Sequence, residues 1–279
     1  VKDEAGLIAV IERSERAAGG LPHGPSGAIV VADAAVAAKA VVARLPLQAL
    51  RGCRQPPPAF EVTLDDVTLT ARAPLGVDGE LIWTTASKGV KPSLCLEACY
   101  AALVARVALG DDVEVVARCI ASDAKDANAI VVFVAPSAAV AAEWLRDALA
   151  LWRQAQRSPL PLFAKTSRAL AEVLFDPGGG ALTDARLRSL RGGLEKAVHD
   201  RFFAKERPGG KSIPGEADDA ATSLLWAGWS PLEALGDSRE DGPLALALRL
   251  WTPIMRMSLL NNGLGDSVSN DEPAALEAT

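Results

Sequence analysis

Histidine is nearly absent from this chain of 279 residues, which has only two histidines and one tyrosine. His23 lies in a Gly/Pro-rich turn and His199 in a basic helical stretch, and neither is near a nucleophile motif. The sequence also lacks a GxSxG elbow, an HExxH pair and a Walker lysine loop. These absences exclude the common Ser–His–Asp hydrolases, zinc peptidases and P-loop nucleotide-binding proteins.

Cysteine is sparse as well, with four unevenly spaced residues, Cys53, Cys95, Cys99 and Cys119. Cys95 and Cys99 are one helical turn apart, a spacing that would suit two ligands of a zinc or iron–sulfur site. However, no CxxC motif is present, and unpaired cysteine is among the most frequently buried residue types. We therefore predict four reduced, buried thiols, with no disulfide, no bound metal and no cofactor.

Long apolar runs are missing too, because charges or turns interrupt every run after about eight residues, whereas a membrane-spanning helix needs about 18 or more. The first ten residues are acidic and have no basic lead, so they do not read as a secretion signal. The sequence therefore predicts no membrane segment and a cytoplasmic location. Because the sequence does not begin with Met, we also expect it to be part of a longer polypeptide.

What the chain does contain is an apolar fraction of 49%, which is enough for a substantial core. Its net charge of −6 hides a strong asymmetry. Residues 153–211 have twelve basic and six acidic side chains, while residues 212–279 have three and eleven. The basic segment either attracts phosphate groups or forms a solvated helical face balanced by an acidic tail, and composition leaves both readings open.

Hydrophobic periodicity predicts one α/β domain over residues 1–279, with helices at 1–55, a sheet core at 60–157, helices at 158–260 and an acidic tail at 261–279. The strand predictions have a common basis, namely short runs rich in Val, Ile, Thr and Leu that turn signals bound. They are Phe60–Leu64, Asp66–Arg72, Gly79–Thr85, Val113–Cys119 and Ala129–Val134.

The predicted helices begin at capping residues or prolines and end at glycine or proline. They comprise Ala28–Leu45, expected to be largely buried; Ser93–Leu109; a helix opening at Pro136; the later part of Ser158–Phe175, which begins as a proline-stiffened extended segment; Thr183–Phe203; and Leu244–Ile254. In the helix after Pro136, the apolar face is predicted to pack against the sheet with Val140, Trp144, Ala148, Leu151, Trp152 and Ala155. Gly192–Gly193 are expected to interrupt the fifth helix, and Arg207–Ala220 to form a long loop.

The stretch Asp66–Pro92 is where a metal-dependent nuclease would place its metal. Such an enzyme needs two or three carboxylates around Mg²⁺ and a lysine beside them. Here the first strand pair ends in Arg72–Ala73–Pro74, and the next strand ends in Thr84–Thr85–Ala86–Ser87–Lys88. No acid stands at either strand end, so the residues predict a sheet edge without a metal site.

Four segments together resemble the C-terminal domain of the RecC family, the gamma chain of exodeoxyribonuclease V. They are GGLPHGPSGAIV at 19–30, VTLTARAPLGVDGELIWTTASKGVKP at 67–92, RSPLPLFAKTSRALAEVLF at 157–175 and GPLALALRLWTPIM at 242–255. The resemblance implies a PD-(D/E)xK nuclease-like mixed sheet flanked by helices. It also implies partner subunits RecB and RecD, contact with double-stranded and single-stranded DNA, and a role in repair and recombination.

The resemblance further implies a degenerate catalytic motif. Pro74 takes the place of the first acid, Thr85 and Ser87 fall where the second acid and the lysine would be, and Lys88 comes one residue late. The domain is therefore predicted to be catalytically inactive, to bind no metal and to need no cofactor. It is expected to scaffold the motor subunits and to help split or guide duplex DNA.

Four basic residues are candidate DNA-phosphate contacts. They are Lys88 and Lys91 beside the degenerate motif, and Lys165 and Arg168 in the PLPLFAKTS segment. Two alternatives remain. One is an active metal-dependent DNA exonuclease domain of the RecB or AddB type, and the other is an unrelated protein-interaction module.

Overall fold

The computed structural model describes residues 25–42, 59–77, 80–85, 89–121, 130–203 and 231–265, with 205–206, 212–213, 215–219 and the single residues Arg13 and Thr222. Three sheets are formed by eight strands, which are β1 (Ala59–Leu64), β2 (Val67–Arg72), β3 (Leu75–Val77), β4 (Glu80–Thr85), β5 (Val116–Ala121), β6 (Ile130–Val134), β7 (Lys205–Glu206) and β8 (Ser212–Ile213). Six helices accompany them, namely α1 (Pro25–Val42), α2 (Pro92–Leu109), α3 (Ala138–Ala155), α4 (Ala164–Leu174), α5 (Asp184–Arg201) and α6 (Pro243–Gly265).

The central sheet is mixed and has the strand order β3-β4-β5-β6. Strand β4 pairs in parallel with β5, and the two outer pairs are antiparallel. Helix α2 makes the crossover between the two parallel strands, as a parallel connection requires. The prediction of an α/β fold with a mixed sheet flanked by helices is thus confirmed.

Helix α2 lies at the centre of the larger core. Nine of its residues are buried, among them Cys95, Cys99 and Leu103, and it packs on β1, on the parallel strands and on α3. By length and hydropathy alone, α2 could also cross a membrane, although the sequence predicted no such segment. Its apolar residues are instead used in the core, which explains why the helix is apolar on nearly every side.

A second core lies between α4, α5 and the beginning of α6. Leu170 and Leu174 of α4 face Leu194 and Val198 of α5 across this core. Gly193 does not interrupt α5, because the helix is continuous and a Cβ at this position would lie 3.2 Å from the Val173 side chain. The predicted break at Gly192–Gly193 is therefore wrong, and Gly193 serves close helix packing instead.

The β1–β2 hairpin forms a separate two-stranded sheet beside the central one. Its tight turn places Asp65 at a φ of +54°, a conformation that Asp tolerates better than most residues. The turn is tied to α3 by two ion pairs, Asp65 with Arg146 and Asp66 with Arg153. Side chains of both strands also pack against α2.

Two predictions about helical faces are wrong. Helix α1 is not largely buried, since Ile29 and Val36 are 62% and 68% exposed. Helix α3 packs mainly on α2, and not on the sheet, with Ala141, Leu145 and Leu149 at its buried centre. The predicted face is correct in part, since Leu151 is buried and Trp144 packs against the core. Trp152, however, is 54% exposed, and the other buried positions lie one residue after the predicted ones.

Three boundaries also differ from the prediction. Strand β5 begins at Val116 and not at Val113, whose carbonyl group accepts a hydrogen bond from the Arg106 side chain. Part of the predicted 207–220 loop is ordered, as strand β8 and a 3₁₀ turn, Glu216–Asp218. Helix α6 runs to Gly265, past the predicted start of the tail at residue 261, and residues 266–279 lie outside the described residues.

Candidate nucleic-acid interface

The position predicted for a degenerate active site is the edge of the sheet where the parallel strands end. Thr85, the last residue of β4, pairs with Ala121, the last residue of β5. Val90 packs against Ala121 and leads into α2. Pro74 is exposed just before β3, whose first residue pairs with Ile82 in the middle of β4. The structure thus brings Pro74 and Thr85 to neighbouring strands.

Two described carboxylates near this region in the sequence, Glu80 and Asp66, are engaged elsewhere. Glu80 lies at the opposite end of β4, where it forms an ion pair with Arg118 of β5. Asp66 is held by Arg153 at the hairpin turn. Within the described ranges, no group of three or more His, Cys, Asp or Glu side chains is arranged to hold a metal ion. Three residues that the sequence analysis considered, Asp78, Ser87 and Lys88, lie outside the described residues.

A basic cleft of about 340 Å³ opens beside the N-terminus of α2. We call this the α2–α4–α5 cleft, and its lining consists of Pro92, Lys165, Arg168, Ala169, Glu172 and Arg201. Two of the predicted phosphate contacts therefore face one cavity. A third, Lys91, is exposed and directly precedes Pro92.

Arg168 is held in a fixed position inside this cleft. Its Nε donates to the Glu172 carboxylate over 2.8 Å, and its guanidinium group lies 5.8 Å from the centroid of the Trp251 ring. The indole Nε1 of Trp251 in turn donates to the Ser167 hydroxyl at 3.2 Å. A planar guanidinium group that is stacked and hydrogen-bonded loses little further entropy when it binds an oxyanion.

Sequence reasoning missed Arg201, which is in the last turn of α5, far from Arg168 along the chain. The available signal was the basic excess of residues 153–211, which includes both residues. That signal did not distinguish Arg201 from the other basic residues of α5. Only the packing of α4 on α5 brings Arg201 to the same cleft.

The N-terminus of α4 is capped by a residue distant in sequence. The Glu216 carboxylate accepts from the backbone N–H groups of Lys165 and Thr166, with both distances at 2.7 Å. No side chain of α4 itself caps this end. The segment around Glu216 is thereby fixed to the wall of the cleft, and its negative charge is used by the helix end.

We expect Glu216→Ala to lower the free energy of unfolding by about 1 kcal/mol, because it removes both hydrogen bonds from the exposed N–H groups of α4. Urea denaturation followed by circular dichroism measures this change. Glu233→Ala is the matched control, because Glu233 is an exposed glutamate in another 3₁₀ turn. Equal effects of the two substitutions would contradict the capping role.

The three described thiols, Cys95, Cys99 and Cys119, are buried, as predicted, and are free of disulfides. The hydrogen bond with Cys119 lowers the pKa of Cys95, aided by the nearby Arg168 guanidinium, while the same bond and burial raise the pKa of Cys119. Burial raises the pKa of Cys99, whose Sγ lies 3.2 Å from Sδ of Met257. Cys53 lies outside the described residues.

A larger, apolar cleft of about 720 Å³ lies between the hairpin and the α2–α3 pair. All six residues of β2 line it, together with Tyr100, Leu145 and the exposed Trp152. Its lining is mainly apolar, whereas the α2–α4–α5 cleft is lined by three basic side chains. Apolar clefts with an exposed aromatic residue are typical of protein-binding surfaces.

These features define an α/β domain with a mixed sheet, in which basic groups from two helices, α4 and α5, meet beside the start of α2, and in which the described residues form no cluster of acids suited to a metal ion. The family model of the RecC C-terminal domain matches residues 4–174, more than half of the sequence. The chain therefore belongs to the RecC C-terminal domain family. This membership relates it to DNA repair as part of the exodeoxyribonuclease V complex, RecBCD. No curated protein matches the sequence.

Proposed function

We propose that this chain is a non-catalytic domain of a RecBCD-type helicase–nuclease. In this role it scaffolds the motor subunits RecB and RecD and helps to split or guide the incoming duplex in the cytoplasm. It needs no metal and no cofactor of its own. The family match carries this proposal, since it identifies the complex in which the domain works.

The residues at the sheet edge support the proposal that the domain is non-catalytic. Two-metal and one-metal phosphodiesterases need carboxylates that converge on the scissile phosphate. Here Thr85 and Ala121 end the two parallel strands, and Pro74 stands beside them. The described acids nearest in sequence, Asp66 and Glu80, are both engaged in ion pairs with arginine. This sheet is therefore proposed to be a nuclease-like scaffold kept for its shape.

The scaffolding part is supported by the apolar cleft beside β2. Trp152 is 54% exposed at its border, and burying such a side chain against a partner contributes strongly to binding. The DNA-handling part is supported by the basic residues Lys91, Lys165 and Arg168, which are proposed to contact phosphate groups. Lys88 is proposed in the same role from its place in the sequence.

We expect the purified chain to leave linear DNA intact in the presence of Mg²⁺ or Mn²⁺. An active nuclease of the same fold serves as the positive control, and a reaction with chelator shows the background. If DNA were degraded, and if Asp66→Ala or Asp78→Ala abolished that degradation, the domain would be an active exonuclease. Co-purification with RecB and RecD from the same organism tests the scaffolding role, and failure to co-purify would favour an unrelated interaction module.

A further inference from the structure

We infer that the α2–α4–α5 cleft holds the sugar–phosphate backbone of a single DNA strand, with Lys165 and Arg201 as its mobile phosphate contacts and Arg168 as its fixed one. This inference rests on the proposed function, because it assumes that the domain handles DNA. It assigns the DNA contact to a cleft between helices, adds Arg201 to the site and specifies which form of DNA is held.

The charge of the cleft supports an anionic ligand. Its lining carries three basic side chains and one acid, Glu172, which is engaged with Arg168. Neither Lys165 nor Arg201 forms an ion pair with any other residue that the structure describes. Glu172 is already paired with Arg168, so a bound phosphate would offset the charges of Lys165 and Arg201 and reduce their mutual repulsion.

The neighbouring helix ends also favour an anionic ligand in the cleft. The N-terminus of α2 begins at Pro92 in the lining of the cleft and has no side-chain cap hydrogen bond. The N-terminus of α4 is already occupied by the Glu216 carboxylate. The partial positive charge of α2 therefore adds to the three basic side chains, whereas that of α4 is neutralised.

The size and lining of the cleft favour a single strand over a duplex. A cavity of about 340 Å³ admits a short piece of backbone, whereas a double helix is bound on a broad surface or read through its grooves. No aromatic residue lines the cleft, and Trp251, which supports Arg168, is fully buried. Base stacking is therefore absent from the described lining, and the contact depends on phosphate charge and not on base identity.

The test measures binding of the chain to an oligodeoxythymidylate strand over a range of salt concentrations. We expect Lys165→Ala with Arg201→Ala to weaken binding roughly tenfold and to reduce the salt slope by about 1.4, since each single-strand phosphate contact contributes about 0.7. An abasic strand of the same length is expected to show the same losses. A blunt duplex is expected to bind more weakly and to respond less to the two substitutions.

The matched control is Arg157→Ala with Arg188→Ala, which removes the same charge from exposed positions outside the cleft. We expect this control to change the affinity less than about twofold, because general electrostatic attraction is weak at a distance in salt. Equal losses in the two double variants would overturn the assignment of the cleft. A loss seen with oligodeoxythymidylate and not with the abasic strand would also overturn it, because the bases would then be read.

Failure of this inference is distinguishable from failure of the proposed function. If the unmodified chain bound no single-stranded DNA, the cleft assignment would fall, while co-purification with RecB and RecD would still support the scaffolding role. If the chain degraded DNA in the presence of Mg²⁺, this result would contradict the non-catalytic role, regardless of how strongly the cleft variants bind DNA.

Discussion

Replacing Trp251 with alanine is expected to lower the free energy of unfolding by about 4 kcal/mol, the range found for a large aromatic residue removed from a core. Trp251 on α6 is fully buried and packs in the larger core. Its indole Nε1 also donates to the Ser167 hydroxyl of α4 over 3.2 Å. Alanine therefore leaves a cavity and removes a buried hydrogen bond at the same time.

Urea denaturation followed by circular dichroism measures this loss, and Trp152→Ala is the control. Trp152 is 54% exposed on α3, so its removal is expected to change stability by less than about 0.5 kcal/mol. A loss of about 4 kcal/mol approaches the whole free energy of unfolding of a marginally stable domain. Trp251→Phe therefore provides a milder variant, with an expected loss of about 1–2 kcal/mol. Equal effects at the two tryptophan positions would contradict the assignment of the core.

Replacing Arg106 with alanine is expected to lower the free energy of unfolding by about 3 kcal/mol. Its guanidinium group donates from Nη1 to the Val113 carbonyl at 2.6 Å and from Nη2 to the Ala135 carbonyl at 3.2 Å. Arg106 is almost fully buried, so both carbonyl groups lose their charged donor in a site with little water. Leaving buried acceptors unpaired costs more than the hydrogen bonds contribute when formed.

Thermal and urea denaturation both test the role of Arg106. Arg106→Lys keeps the positive charge but has a compact ammonium group in place of a planar fork, so an intermediate loss is expected. Arg188→Ala, which removes an exposed arginine from α5, is the control and is expected to be nearly neutral. If Arg106→Ala were as mild as this control, the guanidinium group would not be joining α2 to the segments around β5 and β6.

Several strands and helices were readable from the sequence because their signals are local, whereas strand β3 of the central sheet was not predicted. Strands β1, β2 and β4 follow short runs of Val, Thr and Leu, and helix α2 ends at Gly110, which adopts a φ of +74°. The start of β5 was not readable, since Val113 belongs to an apolar run and its hydrogen bond with the Arg106 side chain is not visible in the local pattern. Hydrophobic periodicity indicates whether a run suits a helix or a strand, but it does not reveal the tertiary hydrogen bonds made by residues at its ends.

The candidate site was predictable in part for the same reason. Lys165 and Arg168 are in a distinctive segment of the sequence, whereas Arg201 resembles its basic neighbours on α5. The cap from Glu216 was also beyond sequence reasoning, because it joins backbone groups to a side chain about fifty residues later. Contacts of this range depend on the packing of α4 against α5, which no local pattern encodes.

The β1–β2 hairpin is joined to the rest of the described domain by side chains and not by strand pairing. Its two ion pairs hold the turn, and buried side chains such as Val62 and Leu64 pack in the larger core. The hairpin can therefore open locally while β4 and β5 keep all of their ladder bonds, as happens in proteins whose elements unfold at different free energies. Because β2 forms one wall of the apolar cleft, any such opening would also change the shape of that cleft.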